Sequence, residues 1–137
     1  MPKTADLRLI GFLCDHCAYA GADEAGRAGK AYPASFKIVR LPCSGRLDPQ
    51  WVLLAFREGA DGVLVAGCHP GDCHYREGNQ GMLKSITLLR RVLVQLGLAE
   101  ARLRVLWISA REGETFARRV TDWAEEIQVL GPRGAGR

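Results

Sequence analysis

Residues 62–75 read GVLVAGCHPGDCHY. The first five form a short apolar run with two valines, which is typical of a buried β-strand. Two cysteines, Cys68 and Cys73, follow this run in a segment that also contains glycine and histidine. Working outward, similar apolar runs occur at residues 7–13, 36–41 and 103–108. The sequence therefore predicts four buried strands, and the third of them leads directly into a cysteine-bearing loop.

A helical pattern follows each strand. Asp48 and Pro49 are suited to begin a helix, with aspartate as N-cap and proline in the first turn, and Gly59 is suited to end it. Apolar residues recur at helical spacing over 82–96 and 116–127, whereas residues 18–29 are rich in alanine and glycine. This β-α alternation predicts a small α/β fold: a flavodoxin-like parallel sheet of about four strands in the order 2-1-3-4, with helices on both faces.

Composition sets the class of protein. The 137 residues are 47% hydrophobic and 25% charged, which predicts one globular domain over residues 1–131, with 132–137 as a flexible tail. The net charge of +4 is spread along the chain and not gathered into a basic stripe, so we expect no nucleic-acid partner. No apolar run reaches the length of a membrane span, and the amino terminus does not resemble a signal peptide. We expect a cytoplasmic protein.

Five cysteines carry the functional signal: Cys14, Cys17, Cys43, Cys68 and Cys73. An odd number in a cytoplasmic chain argues against a disulfide framework. All five follow the carboxyl ends of the first three strands. In a 2-1-3-4 sheet these strands are neighbours, so their loops converge at the point where open α/β sheets bind ligands. We expect the thiols to lie together at that edge.

Several chemistries use grouped thiols. An iron–sulfur cluster needs four thiolates, whereas structural zinc more often uses two close pairs. The Cys14/Cys17 pair at a helix start could also serve a thiol–disulfide oxidoreductase, because a helix amino terminus stabilises a thiolate. His16, His69 and His74 lie in the same loops and are expected to surround the site rather than to ligate. Trp51, Trp107 and Trp123 are predicted to be core residues.

These residues resemble a known family. The segments at 14–23, 42–46, 59–65 and 67–75, together with similar stretches at 78–79 and 109–114, resemble the delta, or iron–sulfur, subunit family of methyl-viologen-reducing hydrogenase. The likeness covers about residues 7–131. Its most specific part is the Gly-Cys-His-x-Gly-Asp-Cys-His-Tyr motif at residues 67–75, whereas the C-x-x-C pair is common in other families.

The resemblance implies an electron-transfer subunit with one 2Fe–2S cluster and no catalysis of its own. All five cysteines are candidate ligands, and one of them, Cys14 or Cys17, is expected to be spare. The family passes electrons from a hydrogenase, formate dehydrogenase or related reductase to the flavin subunit of a heterodisulfide reductase-like complex, which often bifurcates electrons. The first loop does not resemble a phosphate-binding loop, so bound FMN is not expected.

The same resemblance predicts a dedicated partner. A relay needs a donor and an acceptor, and this chain is too small to hold either beside a cluster. We therefore expect the cysteine-bearing edge to face an iron–sulfur flavoprotein in anaerobic metabolism. The residues expected to be free for that contact are His16, Tyr19, Arg46, His69, His74, Tyr75 and Arg76.

Overall fold

The computed structural model describes residues 7–14, 18–27, 29, 36–41, 47–67, 78–108 and 111–131. The strands are β1 (Leu9–Cys14), β2 (Phe36–Leu41), β3 (Gly62–Gly67) and β4 (Leu103–Trp107). The helices are α1 (Ala18–Arg27), α2 (Pro49–Arg57), α3 (Gly78–Gln95) and α4 (Gly113–Leu130), and one turn of 3-10 helix spans Glu100–Arg102. The predicted tail at 132–137 lies outside these ranges.

The strands form one parallel sheet in the order β2-β1-β3-β4. This is the predicted order, and the predicted positions of the strands are confirmed to within two residues at each end. β1 is central: its Leu13 pairs with Arg40 of β2 and with Ala66 of β3. Because the strands run parallel in this register, β1, β2 and β3 finish at the same edge of the sheet, which we call the carboxyl edge.

Helices α1 and α4 cover one face of the sheet. Their buried residues include Ala22, Phe116 and Trp123, which join Leu9 and Phe36 of the strands in one apolar cluster. Gly11 makes room for this packing, since a Cβ atom there would lie 2.2 Å from Cζ of Phe36. The Phe36 ring in turn meets the rings of Phe116 and Trp123, each at a centroid distance of 6.3 Å.

Helices α2 and α3 cover the other face. Val52 and Phe56 of α2 and Ile86 and Leu93 of α3 belong to a second apolar cluster, together with strand residues such as Val63. The predicted start of α2 is confirmed: the Asp48 carboxylate accepts a hydrogen bond from the Gln50 backbone N–H at 2.9 Å, and Pro49 is the first helical residue. Helix α3 begins at Gly78, one turn before its predicted apolar pattern.

The prediction that all three tryptophans are core residues is wrong for Trp51. Trp123 is 1% exposed and donates its indole N–H to the Ala101 carbonyl oxygen at 2.8 Å, and Trp107 is half-buried. Trp51 is 43% exposed, because α2 turns Val52, Ala55 and Phe56 toward the sheet and leaves Trp51 at the side of that face. Within the described ranges, no helix combines the length and the apolarity that crossing a bilayer requires.

A buried arginine stabilises the end of the sheet at which the strands begin, which we call the amino edge. Arg102 is 7% exposed, and its guanidinium donates to the carbonyl oxygens of Asp61 and Gly131, each at 2.8 Å. Asp61 is fully buried, and its carboxylate accepts the Arg8 backbone N–H at 2.8 Å. One side chain therefore joins the start of β3 to the end of α4, and Asp61 extends the connection to the start of β1.

We expect Arg102→Met to lower the free energy of unfolding by about 2–4 kcal/mol, because it removes two charge-assisted hydrogen bonds and leaves the buried Asp61 carbonyl oxygen without a donor. Arg104→Met is the matched control. Arg104 pairs with Glu126 on the surface, where an ion pair contributes only about 0–1 kcal/mol. Urea unfolding followed by circular dichroism measures both changes, and equal losses in the two variants would contradict this assignment.

Candidate functional site

Three neighbouring strands end at the carboxyl edge beside cysteine positions. β1 ends at Cys14, β2 ends at Leu41 two residues before Cys43, and β3 ends at Gly67 one residue before Cys68. Cys14 pairs with Leu41, the last residue of β2. Adjacent strands lie about 4.8 Å apart. The backbone therefore enters the three cysteine-bearing loops from adjacent positions, as the strand order predicted.

Cys14 is the one predicted ligand that lies within the described residues. The structure does not describe the other predicted ligands, the three histidines or most of the predicted contact residues, namely Cys17, Cys43, Cys68, Cys73, His16, His69, His74, Arg46, Tyr75 and Arg76. The grouping of the five thiols stays a prediction. Across the described ranges, no three His, Cys, Asp or Glu side chains come together as a possible metal site.

Cys14 itself is packed in the protein interior. It is 1% exposed and belongs to the apolar cluster on the α1/α4 face, which includes Leu13, Ala22 and Ala66. A buried cysteine in such surroundings packs as a small apolar residue. Cys17, the second cysteine of the C-x-x-C motif, directly precedes Ala18, the first residue of α1.

The residue next to the end of β2 contributes a positive charge that sequence reasoning missed. Arg40 is exposed, and its guanidinium carbon lies 4.2 Å from the centre of the Tyr19 ring on α1. This is a cation–π contact between two elements that flank the cysteine loops. Tyr19, which was expected to be free for a partner, is half-buried and has one ring face covered by Arg40. The sequence feature that could have predicted this charge is an arginine one residue before the end of a predicted strand.

An apolar groove of about 540 Å³ runs between β2 and α2. Its walls include Phe12, Leu41, Trp51 and Leu54. Leu41 is the last residue before the segment that contains Cys43, so the groove adjoins one of the three cysteine loops. Trp51 lines this open groove and is therefore exposed. The helical pattern of α2 does not predict the groove.

The fold is a small parallel α/β domain whose first three strands end at, or lead into, chain segments that contain cysteine. The family model described as FlpD, methyl-viologen-reducing hydrogenase delta subunit, matches residues 9–131. The chain belongs to this family, as the sequence motifs predicted.

Individual relatives extend the comparison. The chain is 44% identical over 132 residues to the iron-sulfur subunit of the F420-non-reducing hydrogenase vhc of Methanococcus voltae, covering 96% of this chain and 92% of that one. It is 45% identical over 132 residues to the F420-non-reducing hydrogenase iron-sulfur subunit of Archaeoglobus profundus, with 96% of each chain covered. It is also 43% identical to part of one subunit of the ferredoxin:CoB-CoM heterodisulfide reductase of Methanosarcina mazei, covering 93% of this chain and 16% of that relative.

We expect the burial of Cys14 to slow its reaction with iodoacetamide by at least about tenfold relative to the urea-unfolded chain, since the reagent can reach it only when the structure opens. The measurement is peptide mass spectrometry of the reduced, iron-free protein over a time course. The unfolded chain serves as the reference for intrinsic thiol reactivity. Labelling of Cys14 at the same rate in both states would contradict its burial.

Proposed function

We propose that this protein is an electron-transfer subunit that carries one 2Fe–2S cluster at the carboxyl edge of its sheet. One observation carries the proposal: β1, β2 and β3 are adjacent and parallel, and each ends at a cysteine or within two residues of one. The names of the two hydrogenase relatives, which include "iron-sulfur", support the same class of cofactor.

The donor set at this edge suits such a cluster. A 2Fe–2S cluster takes four protein ligands, and thiolate is the ligand that iron–sulfur clusters usually use. The chain offers five cysteines, so one can be dispensed with. Because Cys14 is buried among apolar residues, we assign the ligand role to Cys17, Cys43, Cys68 and Cys73, and a packing role to Cys14.

When bound, a 2Fe–2S cluster accepts and returns one electron at a time. The contribution of the chain is to bring the ligands together on neighbouring strands and to offset their negative charge. Arg40, exposed at the end of β2, is one cation placed to do so. Because β1, β2 and β3 are hydrogen-bonded into one sheet, they hold the chain ends that lead to the proposed ligands at a fixed spacing.

The first test is the cofactor content of protein purified without oxygen. We expect about two iron and two sulfide per chain, and an electron paramagnetic resonance signal of a 2Fe–2S cluster after reduction with dithionite. Stoichiometric zinc without sulfide would overturn the proposal in favour of a structural-zinc adaptor. Disulfide reductase activity that needs Cys14 and Cys17 but survives Cys68→Ser would instead favour a thiol–disulfide oxidoreductase.

The ligand assignment is tested in the same protein by two single substitutions. We expect Cys14→Ala to keep the full iron content and the resonance signal, and Cys17→Ala to lose at least half of the iron, because it removes a thiolate ligand. Each variant is the control for the other, since the two residues share one motif. Iron loss in Cys14→Ala with retention in Cys17→Ala would reverse the assignment.

We propose two electron partners: a flavin-bearing protein of the heterodisulfide reductase type, and a hydrogenase or dehydrogenase module. The relative from Methanosarcina mazei supports the first partner. That protein, which is named as part of a heterodisulfide reductase, contains a segment 43% identical to this chain within a much longer polypeptide. Two domains that are fused in one protein are often separate, interacting chains in another. Because electrons need a short path into and out of the cluster, the carboxyl edge is expected to face this partner in the cytoplasm.

A charge reversal at the carboxyl edge tests this docking. We expect Arg40→Glu to reduce at least about fivefold the partner protein that co-purifies with the tagged chain, because charges at an interface control association. Arg57→Glu is the control, since Arg57 is also exposed but lies at the carboxyl-terminal end of α2. A tagged chain that purifies alone and still passes electrons between soluble carriers would refute a dedicated partner.

A further inference from the structure

The Arg40 guanidinium and the Tyr19 ring meet between two chain segments that carry proposed cluster ligands. Arg40 is three residues before Cys43. Tyr19 is two residues after Cys17. Because an extended chain advances at most about 3.6 Å per residue, the Cα atoms of Arg40 and Cys43 lie within about 11 Å of each other. Of the lysines and arginines that the structure describes, Arg40 is the nearest along the chain to a proposed ligand.

The register of β2 places Arg40 on the face of the sheet that α1 covers. Phe36 and Ile38 pack into the apolar cluster under α1 and α4, whereas Leu41 belongs to the cluster on the opposite face. Side chains alternate between the two faces of a sheet, so Arg40 shares the face of Ile38 and Lys37 lies on the other face. The strand thus directs Arg40 toward α1, but it does not by itself fix the end of so long a side chain.

The Tyr19 ring fixes the position of the charge. Tyr19 is half-buried and packs against the α1/α4 cluster, so its ring is anchored to the core. An exposed arginine otherwise samples many rotamers, whereas a ring face within about 6 Å attracts its cation. The guanidinium carbon of Arg40 lies 4.2 Å from the ring centre. A mobile surface cation is thereby held at one place beside the end of β2.

We propose that Tyr19 is a positioning residue for electron transfer: it holds the Arg40 cation near the cluster, and this charge raises the reduction potential of the cluster. The inference rests on the proposed function and deepens it. Reduction by one electron adds one negative charge to a cluster that four thiolates already make anionic. A nearby positive charge stabilises the reduced form more than the oxidised form, because the Coulomb attraction grows with the charge of the cluster.

A redox titration of the full chain, purified without oxygen and followed by electron paramagnetic resonance, tests the role of Arg40. At the wild-type midpoint, we expect Arg40→Gln to lower the ratio of reduced to oxidised cluster about threefold, which corresponds to a potential lower by about 28 mV at 59 mV per tenfold for one electron. Lys37→Gln is the matched control, since it removes one exposed charge from the same strand, on the other face and farther from the carboxyl edge. It should change the ratio by less than about 1.3-fold. Equal shifts in both variants, or no shift in Arg40→Gln, would overturn the proposal.

Substitutions of Tyr19 test the positioning role. Tyr19→Leu should lower the same ratio about twofold, and Tyr19→Phe, which keeps a ring face, should stay within about 1.3-fold of the wild type. In the Arg40→Gln protein, Tyr19→Leu should have no further effect, because Tyr19 acts through Arg40. A Tyr19→Leu shift that persists without Arg40, or a loss of iron from Tyr19→Leu, would show a structural role and overturn the proposal.

Salt dependence supplies a measurement that needs no variant of Tyr19. Arg40 is exposed, so the difference in potential between the wild type and Arg40→Gln should at least halve when the ionic strength rises from about 0.01 M to about 1 M. A difference that salt does not change would contradict an electrostatic origin. Protein without a 2Fe–2S signal would overturn the proposed function itself. A normal signal whose potential is the same in Arg40→Gln and the wild type would overturn this inference alone.

Discussion

The structure depends on the parallel pairing of β1 with a strand on either side. Because the strands share a direction and a register, three chain segments that are far apart in sequence finish next to one another. Cys14 and Cys68 are separated by more than fifty residues, yet β1 and β3 bring the backbone beside them to one edge of the sheet. Cluster chemistry at that edge would need no long loop to fold back, since the sheet itself supplies the convergence.

The two ends of the sheet are stabilised in different ways. At the amino edge, Arg102 and Asp61 form a buried polar network that connects β1, β3 and the end of α4. At the carboxyl edge, the strands lead into the cysteine-bearing segments, and Arg40 of β2 contacts the Tyr19 ring of α1. The buried polar network of Arg102 and Asp61 thus lies at the end of the sheet opposite to the one where the strands lead into the cysteine-bearing segments.

Much of this architecture could be read from the sequence, because hydrophobic runs and helix-start signals are local patterns. The strand order followed from the β-α alternation, whereas the grouping of the five cysteines that this order predicts stays a prediction. Tertiary contacts could not be read in the same way. Trp51 has a helical position compatible with a core, but the groove beside β2 leaves it exposed. The partners of Arg102, at residues 61 and 131, are too distant in sequence for any spacing rule.

Gly11 and Phe36 show how closely the central strands constrain each other. The Phe36 ring occupies the space that a side chain at position 11 would need, and the Gly11 backbone forms one wall of the site that holds the ring. The two positions therefore cannot vary independently in evolution. A relative with a larger residue at the position of Gly11 is expected to carry a smaller one at that of Phe36, so that covariation between β1 and β2 would record their packing.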